Sequence, residues 1–234
     1  MSSNNSVHGR LTHGPVPDSS VDKTLQFVYA ELPIWRDKPH RSEETSEEAL
    51  NAQLCKHLNA AARRNDFSMA HFHHEERQGN RRRVDLSAQP VVTTVIEGRT
   101  YHDDEAFLVM EGKRLPADRK SREREYVTGI NESGGIQRFK LGLHGAQYAK
   151  AAIIAYVQNT NSTDWFKAIN GWIEDLANSA DATWTMSDQL RSLQPDPKSR
   201  TSRSESVHSR VRGASPMIIL THLWIEMNVS AKAD

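Results

Sequence analysis

The organisation of this chain is decided by the stretch Phe107–Lys113, which has the sequence FLVMEGK. Its first four residues continue an apolar run that starts at Ala106. Such a run predicts a strand that is buried on both faces and central in its sheet. Because side chains alternate along a strand, Glu111 and Lys113 continue one face of this buried segment. Burying an unpaired charge is costly, so we expect the pair at the mouth of the strand, in a polar site.

A second acid lies upstream inside another predicted strand. Residues 69–77 and 83–89 flank a turn at Gln78-Gly79-Asn80 and predict a β-hairpin, whose second strand carries Asp85. If that strand neighbours the central one, Asp85 comes beside Glu111. Two adjacent carboxylates repel each other unless a cation lies between them, and oxygen ligands of this kind suit Mg²⁺. A lysine beside them adds a fixed positive charge, and the set suits hydrolysis of a phosphodiester.

The remaining elements extend the pattern on both sides of these strands. Leu50, Leu54 and Leu58 share a helical face with Glu47 at its top, and Thr45 with Glu48 fits a capping box that starts this helix. Further elements are predicted as a helix over 136–147, a strand over 151–158 that could instead continue that helix, a helix over 165–176 and a last strand over 217–227. The order indicates an α/β (α+β) fold in which helices flank a mixed central β-sheet.

Composition limits the architecture and the location. The chain has 234 residues, a formal net charge of zero and one cysteine, Cys55, which cannot form an internal disulfide and suits a reducing cytoplasm. No apolar run approaches the roughly 20 residues of a membrane helix, and the polar start does not resemble a signal peptide. We expect a disordered tail over residues 1–22, a single domain over 23–234 and a long basic Ser/Arg loop over 194–215.

The motif residues resemble those of a known superfamily. Asp85, followed by Glu111-Gly112-Lys113 at the end of an apolar strand, resembles the PD-(D/E)XK, or restriction-endonuclease-like, nucleases. The resemblance covers about residues 45–158, roughly half of the chain, and implies a core of helix, three strands, helix and strand. It departs at Val84, where the family motif has proline. An acid on the first helix of such folds often assists the metal, which assigns that role to Glu47.

The resemblance implies a Mg²⁺-dependent nuclease, with Mn²⁺ as a substitute. Asp85, Glu111 and the carbonyl of Gly112 would bind the metal, Glu47 would complete its ligands, and Lys113 would position or activate the attacking water. DNA is favoured over RNA as substrate. With one site per chain, cutting both strands of a duplex requires a homodimer or two successive binding events. Free-standing relatives often act in restriction, phage defence, repair or mobile-element systems.

Basic residues flank the predicted centre although the whole chain is neutral. We expect them to contact backbone phosphates, and the set comprises Arg81, Arg82, Arg83, Arg114, Lys120 and Arg138. No GxxxxGK[ST] loop occurs in the sequence, so an ATPase, helicase or recognition subunit would be a separate partner. Two alternatives stay open: a catalytically silent nucleic-acid-binding or scaffold protein of the same fold, and an interaction protein with an unrelated α/β fold.

Overall fold

The structure is a computed structural model that describes residues 19–78, 82–179 and 183–228. It is a mixed α/β fold with a seven-stranded mixed sheet flanked by helices. The helices are α1 (Ser20–Arg36), α2 (Glu47–Arg64), α3 (Gly135–Lys140) and α4 (Ser162–Ala177), with 3-10 helices at Lys120–Tyr126, Ile130–Glu132 and Met186–Asp188. The strands are β1 (Ala70–Gln78), β2 (Arg82–Pro90), β3 (Thr94–Ile96), β4 (Arg99–Tyr101), β5 (Leu108–Leu115), β6 (Lys150–Val157), β7 (Arg191–Asp196), β8 (Thr201–Ser209) and β9 (Met217–Glu226).

The sheet has the strand order β1-β2-β5-β6-β9-β8-β7, and β3 with β4 forms a separate small hairpin. The three central strands β5, β6 and β9 run parallel, whereas the outer strands pair antiparallel. Residues 108–110 of β5 and 151–157 of β6 are all buried, which explains their apolar character. The predicted hairpin, central strand, fourth strand and last strand are confirmed, and residues 151–158 do not continue the preceding helix.

Helix α1 was not predicted from the sequence. It begins at Ser20, inside the range expected to be a disordered tail; residues 1–18 of that range lie outside the described residues. Leu25, Val28, Leu32 and Trp35 are buried at helical spacing, which is the signal that identifies the helix in retrospect. The helix packs against α2, which in turn lies on β1, β2 and β5.

Three predicted helix limits differ from the structure. The N-cap of α2 is Ser46, whose side chain accepts from the Ala49 amide, so the capping box from Thr45 is wrong by one residue. Helix α4 begins at Ser162 rather than at residue 165, and its N-cap is Asn161. Helix α3 ends at Lys140, well short of residue 147, because Gly142 adopts a φ of 67° that a continuing helix does not allow.

The predicted basic loop over 194–215 is wrong for most of its length. Residues 191–196 and 201–209 form the antiparallel pair β7–β8 at one edge of the sheet. The inward face of β8 carries Ser204, Ser206 and His208, all buried. A strand that buries small polar side chains lacks the alternation of apolar residues by which strands are recognised, and its composition is therefore typical of a loop.

A continuous chain of buried hydrogen bonds accommodates Ser206 and His208, whereas Ser204 donates to the carbonyl of Arg191. Neighbouring polar atoms lie 2.6–2.8 Å apart, and the members in order of contact are Lys140, Asp188, His208, Ser206, His222, Tyr126 and Trp224. Burial lowers the pKa of His208, although Asp188 partly opposes this, and burial lowers the pKa of His222 well below its usual value. Both imidazoles therefore stay neutral in the folded protein near neutral pH.

This network makes the stability of the fold depend on pH. In the unfolded chain a histidine takes up a proton near pH 6.5, whereas folded His208 and His222 resist it, so stability is complete above that pH and decreases as the pH falls below it. The contribution of His222 is measured by comparing variants, because other buried groups also titrate between pH 7 and pH 5. From pH 7 to pH 5 the urea midpoint of His222→Gln should shift upward relative to that of the wild type, whereas His102→Gln, at an exposed position, should keep a constant difference from the wild type. A constant difference for His222→Gln would contradict the prediction.

Candidate active site

The candidate site begins where the pairing of β2 with β5 ends. The last registered pair on this side is Leu86 with Met110. Beyond it the amide of Gly112 donates to Oδ2 of Asp85 at 2.8 Å. A side-chain carboxylate thus takes the place of a strand carbonyl, and Asp85 lies beside the Glu111–Lys113 segment, as the hairpin pattern predicted.

Glu111 is fully buried and surrounded by cationic or protonatable side chains. Lys113 Nζ lies 3.2 Å from its Oε1, the Arg138 guanidinium donates to the same oxygen, and His144 Nδ1 lies 3.1 Å from Oε2. Burial opposes ionisation of Glu111, but Lys113, His144 and Arg138 outweigh it and hold its pKa well below the usual range. Glu111 is therefore a carboxylate whose charge is balanced within the protein.

Lys113 connects this carboxylate to helix α2. Its Nζ lies 2.8 Å from Oε1 of Glu47, and the other Glu47 oxygen accepts from the Arg114 amide at 2.9 Å. Burial alone would lower the pKa of Lys113, but Glu111, Glu47 and Asp85 outweigh it and raise that pKa above the usual value. Lys113 is thus a fixed cation held between two acids.

Asp85 has the opposite electrostatic environment. Its burial, together with the nearby charges of Glu111 and Glu47, raises its pKa to about 8, although Lys113 and the Gly112 amide partly compensate. The carboxyl group therefore retains its proton at neutral pH in the arrangement seen here. A divalent cation beside it would replace that proton and relieve the repulsion between the acids.

An open cleft of about 310 Å³ adjoins the site. Its lining has three cations, Lys113, Arg114 and Arg122, and five acids, which are Glu47, Glu48, Asp118, Glu123 and Glu125. Arg122 is ion-paired with both Asp118 and Glu125. The cleft is therefore acidic overall, in a space that solvent can enter.

The basic residues predicted to contact nucleic acid have diverse positions. Arg138 binds Glu111 as described, and Arg114 donates to the carbonyl of Pro116. Lys120 is exposed at the start of a 3-10 helix, and Arg83 is exposed and ion-paired with Glu75. Arg81 and the side chain of Arg82 lie outside the described part of the chain. Among the residues of this set that the structure describes, only Arg114 belongs to the lining of the cleft.

Two residues near the site were missed by the sequence reasoning. His144 follows α3 in a stretch without an apolar pattern, and only the tertiary fold brings it to Glu111. Asn51 lies one helical turn after Glu47 on α2, and its Oδ1 accepts from the Tyr156 hydroxyl at 2.8 Å. The four-residue spacing from Glu47 to Asn51 places both on one side of the helix, and this spacing could have indicated Asn51.

The residues of the site fit the predicted Mg²⁺ in part. Asp85 and Glu111 supply carboxylate oxygens of the type that Mg²⁺ prefers, and the raised pKa of Asp85 shows that cationic charge is favoured there. Glu111, however, is already engaged by Lys113, Arg138 and His144. Within residues 19–78, 82–179 and 183–228 no group of three or more His, Cys, Asp or Glu residues is arranged to hold a metal ion.

Comparison of the chain with protein-family models, curated proteins and solved structures finds no match. None of the helices in the described ranges has the length and apolar content needed to cross a bilayer. The residues and geometry of the cleft are therefore the basis for any functional assignment.

Gly112 permits the close approach of α2 to β5, and this yields a stability prediction. A Cβ atom added at Gly112 would lie 1.9 Å from Asn51 Oδ1, so Gly112→Ala should lower the free energy of unfolding by about 1–3 kcal/mol through overpacking. Gly171, inside α4, has nothing within 4 Å of an added Cβ. Gly171→Ala should raise the unfolding free energy by roughly 0.5–1 kcal/mol. Urea denaturation of both variants measures this difference, and equal effects would contradict the packing of Asn51 on Gly112.

Proposed function

We propose that this protein is a metal-dependent nuclease of the PD-(D/E)XK type, acting on phosphodiester bonds in DNA in preference to RNA. The observation that carries the proposal is the convergence of Glu47, Asp85 and Glu111 around Lys113, where β2 separates from β5 beside an open cleft. Two acids on neighbouring strands, and a lysine that contacts one of them together with a helix acid, form a set that suits such hydrolysis.

The order of elements supports the same proposal. From α2 to β6 the chain runs through a helix, the strands β1, β2 and β5, the short helix α3 and strand β6, with β3–β4 inserted. This is the order expected of a restriction-endonuclease-like core over residues 45–158. The antiparallel pairs β1–β2 and β2–β5, followed by the parallel pair β5–β6, bring the acid of β2 next to the two motif residues of β5.

In this proposal Asp85 and Glu111 hold Mg²⁺, or Mn²⁺ in its place, together with the Gly112 carbonyl and Glu47. The metal supplies a Lewis acid and an activated water when bound. A cation at Glu111 would compete for its carboxylate with Lys113, Arg138 and His144.

Lys113 acts as a cation rather than as a base. Because neighbouring carboxylates raise its pKa, its ammonium group remains protonated at neutral pH and can donate to a phosphate oxygen or orient a water molecule. Arg138 and His144 are positioning residues, since both contact Glu111 and fix its carboxylate.

Nucleic acid would lie across the cleft. Arg114 and Lys120 follow the site directly, and Arg81, Arg82 and Arg83 precede Asp85, so backbone phosphates could be neutralised on both sides of the reacting bond. The proposal includes a cytoplasmic protein, a homodimer for double-strand cleavage and a separate ATPase, helicase or recognition subunit. Restriction, phage defence, repair and mobile-element systems are the settings that the family resemblance implies.

The alternative is a catalytically silent nucleic-acid-binding or scaffold protein of the same fold. A specific observation favours it: Lys113, Arg138 and His144 already balance the charge of Glu111 without a metal. Such a cluster can stabilise the fold alone if its buried charges are fully paired.

A cleavage assay distinguishes the two. Labelled double-stranded DNA, single-stranded DNA and RNA are incubated with Mg²⁺ or Mn²⁺ and the wild-type protein, Asp85→Asn or Lys113→Met. We expect metal-dependent cleavage of DNA and a loss of about 100-fold or more in both variants, because Asp85→Asn removes a metal ligand and Lys113→Met removes a cation that stabilises charge in the transition state.

The matched control is Lys167→Ala, which removes an exposed cation from α4. It should cleave like the wild type, and circular dichroism should show that all variants are folded. Cleavage that survives both site substitutions would refute the site assignment. Salt-sensitive binding of DNA without cleavage by the wild type would favour the silent alternative.

Metal binding by Asp85 can be tested without cleavage. At pH 7.5 the raised pKa of Asp85, about 8 against an ordinary 3.8, means that ionisation costs folding free energy as the pH rises between these values. Asp85→Asn removes this cost, so without metal the variant should melt at the same temperature as the wild type or higher.

Mg²⁺ should raise the melting temperature of the wild type only. At a hundredfold excess over the dissociation constant the gain is about 2.7 kcal/mol, which corresponds to roughly 5–10 °C for a chain of this size. An equal rise in Asp85→Asn would show that Mg²⁺ binds elsewhere.

A further inference from the structure

A second pocket, separate from the candidate active site, lies between the end of α1 and the middle of α2. Trp35 and Lys38 line it from the α1 side, and Gln53, Lys56 and His57 line it from α2. Its volume is about 220 Å³, room for roughly seven water molecules at ~30 Å³ each. The pocket can therefore hold a small polar ligand or one group of a larger one.

The charges at this pocket have one sign. Lys38, Arg41 and Lys56 all belong to its lining, and none of the lining residues in the described part of the chain is an acid. The Arg41 guanidinium lies over the Trp35 ring at 5.6 Å from its centroid, which orients the planar group. In a chain without net charge, three cations around one concavity create a local attraction for an anion.

Two buried polar atoms at the pocket have no hydrogen-bond partner among the described residues: His57 Nδ1 and Gln53 Oε1. The His57 side chain is almost fully buried, and its Nε2 lies 2.7 Å from Oε2 of Glu31. Gln53 uses its amide nitrogen to donate to the Glu44 carbonyl. The two residues are one helical turn apart on α2. Both atoms are acceptors, because Nε2 of His57 carries the ring proton toward Glu31. Since buried polar atoms are nearly always paired, we expect a ligand that brings a hydrogen-bond donor to at least one of them.

We propose that this pocket binds a phosphate monoester. Such a group has a charge of about −1.5 to −2 at neutral pH and three strong acceptor oxygens, which match Lys38, Lys56 and the guanidinium of Arg41. Its singly protonated form also has a P–OH donor, which suits Gln53 Oε1. A fully ionised oxyanion such as sulfate has the same shape and lacks this proton.

The pocket is distinct from the candidate active site, and the inference does not rest on the proposed nuclease activity. His57 follows Glu47 by ten residues on α2, a separation of about 15 Å along the helix axis. Two sources share the required chemistry: a free small phosphate, such as a nucleoside monophosphate, and the terminal phosphate of a nucleic acid.

The test is calorimetric titration of the full chain with inorganic phosphate, adenosine monophosphate and sulfate. We expect saturable binding of both phosphates and weaker binding of sulfate. Lys38→Ala/Lys56→Ala should weaken phosphate binding by about tenfold or more, because two charge-assisted contacts are lost. Gln53→Met should abolish the preference for phosphate over sulfate.

The matched control is Lys23→Ala/Arg63→Ala, which removes two exposed cations from α1 and α2 outside the pocket. It should bind phosphate like the wild type, with circular dichroism confirming that every variant is folded. Absence of saturable phosphate binding, or equal weakening in the two double variants, would overturn the proposal. Equal affinity for sulfate and phosphate in the wild type would overturn the assignment to a phosphate monoester.

Oligonucleotides distinguish the two sources. A 5′-phosphorylated strand that binds more tightly than adenosine monophosphate, and loses this advantage in Lys38→Ala/Lys56→Ala, identifies the end of a nucleic acid as the ligand. Binding of the phosphorylated strand no tighter than the monophosphate identifies a free small phosphate. A 5′-hydroxyl strand that binds equally well, and is weakened equally by the substitutions, would overturn the proposal because backbone diesters would then be the ligand.

Discussion

The buried ammonium group of Lys113 connects the parts of the fold that form the candidate site. Removing such a charge from water is expensive, and the protein compensates with Glu47 from the start of α2 and Glu111 from the same strand. Glu47 also accepts from the Arg114 amide, so the N-terminus of α2 is fixed to the C-terminal part of β5. The positions of these two elements are thus linked through one lysine.

The same requirement extends to the other side of β5. The negative charge of Glu111 is compensated by Arg138 and His144 in addition to Lys113, because both also contact its carboxylate. These contacts bring α3 and the segment after it to the sheet. Among the described residues Asp85 has no hydrogen-bond partner beyond the Gly112 amide, and burial together with the charge of Glu111 raises its pKa. The two strand acids are therefore unequal: one is ionised by its neighbours, and the other is the position at which added cationic charge is most favourable.

Elsewhere in the molecule, buried polar side chains are satisfied by hydrogen bonds to one another. The hydrogen-bond chain from Lys140 to Trp224 pairs donors with acceptors throughout its length, which is the condition under which a buried polar network is tolerated. The pocket at His57 does not meet this condition, since two buried atoms there have no partner among the described residues. This contrast within one protein is what separates a structural network from a candidate binding site.

The sequence by itself determined the central strand, the hairpin beside it and the meeting of Asp85 with the Glu111–Lys113 segment. Apolar runs and the two-residue alternation of strands are local properties, so they can be recognised without the fold. It also indicated Glu47, because an acid at the top of an apolar helical face has a defined direction. Only the tertiary structure decided the role of His144, the contact of Asn51 with Gly112, and the strands β7 and β8. Each of these depends on contacts or hydrogen bonds between residues separated in the chain, and such contacts leave no periodic pattern in the sequence.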